Sequence, residues 1–164
     1  MATGQKLTQE TIDQLKAKIS RHRFLVSFGD DIIGPLKSAP QIEADIETKE
    51  MTLYETGEDP QADVISRNNA TITLDTEDMA KALELLSAFK KGDDMLDTSK
   101  SKPLTFVPII TDDSDTTAKT LTFPNAFLNP GVKSNFGEGA DPNSIPLTFT
   151  AKPQAADGVL FTYA

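Results

Sequence analysis

The only histidine of this 164-residue chain, His22, lies in the run Ser20-Arg21-His22-Arg23. Serine, histidine and the many carboxylates supply the residue types of a nucleophilic triad. The base of such a triad must become an imidazolium during the reaction, and the flanking guanidiniums of Arg21 and Arg23 disfavour that charge. A cationic helix end is the better reading of the run. There is no cysteine, hence no thiolate nucleophile, no disulfide framework and no Cys-ligated zinc.

Other clusters fail on spacing. Asp112-Asp113-Ser114-Asp115 offers the carboxylates of a calcium loop. An EF-hand needs Gly at its sixth position and Glu at its twelfth, and counting from Asp112 or Asp113 gives neither. Gly137-Glu138-Gly139 lacks the third glycine and the preceding strand of a dinucleotide fingerprint. Asn69-Ala70-Thr71 matches a glycosylation acceptor, but the polar start Met1–Lys6 offers no secretion signal to give it meaning. The expectation is a protein that is no enzyme and has no metal or cofactor. With no apolar run of spanning length, it is also expected to have no membrane contact.

Charge is more informative. The formal net charge is −9, and it is unevenly placed. Residues 1–29 are basic, with Lys6, Lys16, Lys18, Arg21 and Arg23 against Glu10 and Asp13. Residues 43–59 hold Glu43, Asp45, Glu47, Glu50, Glu55, Glu58 and Asp59 against Lys49 alone. A net-negative chain with no tryptophan and two tyrosines is a poor binder of nucleic acid. Opposite signs at different places instead let the basic end of one copy meet the acidic stretch of another. Glu43, Asp45 and Glu47 alternate with Ile42, Ala44 and Ile46, which predicts a strand with one apolar and one acidic face. A row of carboxylates repels phosphates, as suits a surface that DNA passes without being held.

These side chains must be positioned by elements that the pattern predicts. Thr8 caps a helix over 9–20 with Ile12, Leu15 and Ile19 on one stripe. Phe24, Val26 and Phe28 alternate as a strand ended by Gly29. Asp30–Pro40 reads as an extended loop whose apolar Ile32, Ile33 and Leu36 should pack on a neighbour. Past the acidic strand the apolar parity changes at Met51 and Leu53, which predicts a bulge near Thr48-Lys49. Gly57-Glu58-Asp59-Pro60 is a turn, and a strand from Val64 to Leu74 follows, with Ala70, Ile72 and Leu74 inward. An amphipathic helix spans 76–91, capped by Asp75 or Thr76 and closed by Lys90, Lys91 and Gly92. Its predicted face is Met79, Leu83, Leu86 and Lys90, widened by Ala82 and Phe89.

The C-terminal part repeats Leu-Thr-Phe at 104–106, 121–123 and 147–149. In a strand each tripeptide buries Leu and Phe and turns Thr outward. Strands are predicted over 103–111 and 118–124, then a long loop over 125–144. A closing hairpin joins Ile145–Lys152 to Val159–Tyr163 through Asp157-Gly158. The fold class is mainly β: a sandwich or barrel of about seven strands with one flanking helix and an N-terminal helix. Residues 1–29 read as a helical, basic arm and 30–164 as a single β-rich domain.

Taken together the chain resembles the tail tube (major tail) proteins of tailed bacteriophages. The resemblance is carried by the stretch from Glu47 to Ala164: Val64-Ile65-Ser66-Arg67-Asn68-Asn69-Ala70-Thr71-Ile72-Thr73-Leu74, the helix after it, and Leu147-Thr148-Phe149-Thr150-Ala151-Lys152-Pro153 with the ending Phe161-Thr162-Tyr163. It implies a structural virion protein, assembled in the host bacterial cytoplasm, whose hexameric rings stack into a hollow tube for DNA. Its partners would be further copies of itself and the sheath, terminator and baseplate proteins. On this view Glu43, Asp45 and Glu47 face the lumen, and Ile32, Ile33, Leu36, Lys16, Arg21 and Arg23 meet neighbouring subunits or rings. The alternatives are a baseplate hub, distal-tail ring or secretion-system inner tube of the same fold, and then a free-standing β-sandwich binding module.

Overall fold

A computed structural model describes residues 4, 6–20, 22–52, 57, 60–89, 100–131 and 143–164. Arg21, Leu53, Glu58-Asp59, the helix end at Lys90–Gly92 and Gly137-Glu138-Gly139 lie outside the described residues. The elements are α1 (Gln9–Lys16), β1 (Arg23–Phe28), β2 (Asp31–Ile33), β3 (Gln41–Thr52), β4 (Pro60–Thr76), α2 (Met79–Ser87), β5 (Lys102–Ile109), β6 (Leu121–Leu128), β7 (Ile145–Ala151) and β8 (Thr162–Tyr163). The mainly β expectation is borne out.

The eight strands form one antiparallel sheet in the order β2-β1-β5-β6-β7-β4-β3, with β8 added against β6. That sheet curls on itself. Phe28 in β1 and Phe149 in β7 are separated by two strands, which on a flat sheet would set them about 14 Å apart. Their ring centroids are 5.0 Å apart instead. The curl encloses one core containing Val26, Ile72, Leu74, Leu104, Leu147 and Phe149, and α2 adds Ala82 and Leu86. In the Leu-Thr-Phe repeats, Leu104, Phe106, Phe123, Leu147 and Phe149 are buried and Leu121 packs against them. The threonines between them face away from the core.

Several boundaries differ from the sequence reading. The helix predicted over 9–20 ends at Lys16, though Thr8 does cap it through the N–H of Thr11. Residues 23–28 of the predicted arm are strand β1, paired along its whole length with β5. α2 starts at Met79 and not at 76, because Thr76 is still the last residue of β4 and Asp78 supplies the cap to Lys81 N–H at 3.2 Å. Leu83 points outward, and Leu85 joins Met79 and Phe89 against the core.

β6 continues through Pro124 to Leu128, into the predicted long loop. The register between β5 and β6 shifts between Lys102/Ala126 and Leu104/Phe123. The extra residue lies beside Pro124, whose missing N–H is tolerated at such a bulge. The closing hairpin is not one. β7 and β8 are both antiparallel to β6, at Ala126–Leu128 and at Leu121–Thr122 respectively. They lie in line along the same edge, and residues 152–161 form an excursion between them.

Candidate functional site

β3 and β4 form the feature that stands out from this barrel. They pair from Gln41↔Thr73 to Thr52↔Pro60, but β7 supports β4 only from Ala70 to Thr76. Beyond Ala70 the two strands run on as a ribbon, and β3 is the last strand of the sheet. Every residue of β3 is exposed.

Register assigns the two faces of the ribbon. Ile42 lies opposite Ile72 and Ala44 opposite Ala70, so these side chains continue the core face, with Ile46 next in line. Core packing covers Ile72 and Ala70 but leaves Ile42 and Ile46 open, along with Ile65 further along the ribbon. Glu43, Asp45 and Glu47 share the other face, opposite Thr71, Asn69 and Arg67. The register shifts between Glu47 and Thr48, within a residue of the predicted bulge. The additional residue is Ser66 on β4, whose hydroxyl donates to the Glu47 carbonyl at 3.3 Å.

The acidic row is therefore real, but it carries a cation. Arg67 Nη1 stands 3.5 Å from Asp45 and 3.4 Å from Glu47, with all three side chains about half exposed. Exposed pairs of this kind are worth about 0–1 kcal/mol, so Arg67 lowers the local negative charge more than it braces the fold. The sequence held the signal: the alternation that turns Thr71 and Thr73 outward turns Arg67 outward too.

The apolar residues of 30–40 divide between two roles. Ile33 is buried in the chain's own core on β2, and Leu36 packs against that core while bridging to Thr76. Only Ile32 of the three is openly exposed. The predicted extended loop fails here because β2 pairs with β1 at Val26–Phe28 and draws the segment in. Thr76 holds it there, its hydroxyl donating to the Pro35 carbonyl at 3.3 Å and accepting from Asp78 N–H. A cleft of about 930 Å³ opens beside this segment, lined in part by Phe24, Leu36, Ile42, Phe106 and Leu121.

Lys16 and Arg23 are exposed, and α1 buries none of its residues. What joins α1 to the barrel is a contact that no local pattern announces. His22 Nε2 lies 2.7 Å from Asp115 Oδ2, across 93 residues, and its Nδ1 lies 2.9 Å from Ser20 Oγ. Asp115 is held well below the usual carboxylate range, at about 2, first by the Thr117 hydroxyl, then by the Thr117 N–H and His22. The ionised carboxylate accepts from His22, which makes Nε2 a donor. The serine, histidine and aspartate that the sequence could not connect do meet, with Ser20 and His22 two residues apart on the segment entering β1. Among the described residues no group of three His, Asp or Glu is placed to hold a metal ion, and no helix is long and apolar enough to cross a membrane.

No family model matches the chain, and no curated protein matches it. Solved structures do. A chain of the extended sheath–tube complex of PVC, an extracellular contractile injection system, is 19% identical, with 97% of this chain and 100% of that one aligned at a TM-score of 0.59. The tube-terminating cap of the anti-feeding prophage is 17% identical over 89% of this chain and 90% of its own, at a TM-score of 0.57. A chain of the PVC sheath/tube terminator in the extended state is 19% identical over 88% and 96%, at a TM-score of 0.56. At such identities the likeness is one of fold. The chain shares its fold with these chains of the PVC sheath–tube complex, the anti-feeding prophage cap and the PVC sheath/tube terminator.

Proposed function

We propose that this chain is a structural subunit that assembles with copies of itself into rings, and that the rings stack into a hollow tube of the tail-tube and injection-tube type. The observation that carries the reading is the β3–β4 ribbon. It has an unpaired outer edge, and large apolar side chains stand open on one face. A two-stranded ribbon is marginal in water by itself, and an open strand edge invites pairing. A second copy that pairs with the edge and covers Ile42, Ile46 and Ile65 removes both costs. Repeated around a closed ring of six, as the tail-tube resemblance implies, the contact yields a bore walled by strands. The opposite face of the ribbon then turns Glu43, Asp45 and Glu47 to the bore, where they repel the phosphates of passing DNA.

Contacts between different patches close into rings in one direction and leave open stacks in the other. Lys16, Arg21, Arg23 and the 30–40 segment with Ile32 at its surface are assigned to those contacts. Sheath, terminator and baseplate proteins are the further partners, in a phage tail or a related injection particle. Negative-stain microscopy of the purified protein tests the reading. Closed rings or tubes are expected, and monomers at every concentration would contradict it. The likeness to a cap and a terminator favours a second reading, a ring that closes the end of a tube, for which rings without stacks are the expected image.

A further inference from the structure

The outer face of β1, β2 and β5 bears an apolar patch that the barrel leaves uncovered. Leu25 and Val107 are direct cross-strand partners, Ile109 follows two residues along β5, and Ile32 stands on the same face opposite Ser27. The four side chains are between 42% and 57% exposed, while Val26 and Phe106 between them point into the core. Large apolar groups clustered on an outer sheet face mark a contact surface.

The chain also carries a second uncovered apolar surface of matching form. α1 has Ile12 and Leu15 along one side, and Ile19 follows just past its end, yet none of the helix's residues is buried. Leu15 and Ile19 are about half exposed. The charges around the two surfaces are opposite. Lys16 and Lys18 flank Leu15 and Ile19, whereas Asp112 and Asp113 follow directly on the Ile109 end of the patch, all four being exposed. Asp112 is kept ionised by the N–H and hydroxyl of Ser114. A helix laid with Leu15 and Ile19 over Val107 and Ile109 brings its lysines to those carboxylates.

The His22–Asp115 bond anchors the arm at this same end of β5, where Ile19 and Ile109 line one cavity with His22 and Asp115. α1 itself buries none of its residues against its own sheet. We infer that α1 of one copy docks on the β1–β2–β5 outer face of the adjacent copy, Leu15 and Ile19 against Val107 and Ile109, with Lys16 and Lys18 paired to Asp112 and Asp113. The inference rests on the ring-forming reading above and adds the arm as a clasp between neighbours.

The absence of cysteine makes disulfide trapping clean. Leu15→Cys and Val107→Cys variants, one of them carrying a mass tag, are mixed under assembling conditions and oxidised. Both sites are exposed, so far-ultraviolet circular dichroism should match the parent. Seating of the arm raises the effective concentration of the pair, so the heterodimer is expected to exceed either homodimer by about tenfold. A chain carrying both substitutions should give a ladder of linked copies. Rings that form normally without the heterodimer overturn the docking and leave the ring reading intact. Exclusive cross-linking within a chain overturns it in favour of the arm folding back on its own sheet. Failure of the parent protein to assemble at all overturns both.

Discussion

His22 Nε2 and Asp115 Oδ2, 2.7 Å apart, form a side-chain hydrogen bond between the segment preceding β1 and the rest of the molecule. The histidine side chain is 10% exposed and the aspartate 33%. This bond ties the segment that carries α1 to the end of β5.

The tie has a defined acid limit. The Asp115 carboxyl is lowered from 3.8 to about 2 by the Thr117 hydroxyl, the Thr117 N–H and His22. A depressed carboxylate contributes stability above its unfolded value, and loses it as pH falls through the folded one. The contribution is therefore complete above about pH 4 and lost toward pH 2. Carboxyl-carbon NMR of Asp115 should titrate with a midpoint near 2. A midpoint near 4 would mean that the Thr117 and His22 bonds are absent in solution.

Phe149 anchors the curl of the sheet through its contact with Phe28. Phe149→Ala should cost about 3–5 kcal/mol in urea unfolding, with the slope unchanged. Ile65→Thr, on the open ribbon, should change monomer stability by no more than about 0.5 kcal/mol. Equal losses at the two positions would place Ile65 in a core.

Gly29 joins β1 to β2 with φ +62, and a Cβ there would come within 2.9 Å of Lys102 Cδ. Gly29→Ala should destabilise by about 1–2 kcal/mol. Adding Lys102→Ala should recover only the contact part, because the backbone strain remains. Full recovery in the double variant would assign the whole effect to the lysine.

Glu43, Asp45 and Glu47 are exposed and make no core contact, so on the proposed tube reading replacing all three with Lys should leave the fold and the tubes intact. On that same reading DNA passage through particles carrying the variant should slow, as cations in the bore would hold phosphates. Ejection at the parental rate would remove these residues from the lumen.

How much of this was legible in the sequence follows from the range of the forces involved. Alternation located β1, the acidic strand and all three Leu-Thr-Phe strands, since which face is buried is written every second residue. The register shift beside Thr48 falls where the parity of Met51 and Leu53 predicted a bulge, but its additional residue, Ser66, lies on β4 and not on the strand that carried the signal. The end of β6 was missed because Asn125 opens a stretch rich in Gly, Pro and Asn, and only its pairing with β7 at Ala126–Leu128 draws that stretch into the sheet. Ile33 and Leu36 looked like contacts for a neighbour because nothing local says that β2 folds back on β1. Arg67 was legible in its parity and went unused. The His22–Asp115 bond was invisible: it joins residues brought together only by the pairing of β1 with β5.

The proposed completion of the β3–β4 ribbon by another copy can be read by sedimentation velocity of the parent and of an Ile46→Lys, Ile65→Lys double variant. Ring-sized or larger particles are expected for the parent, and a folded monomer with parental circular dichroism for the variant. A parent that sediments as a monomer throughout, or a variant that assembles as the parent does, would contradict it.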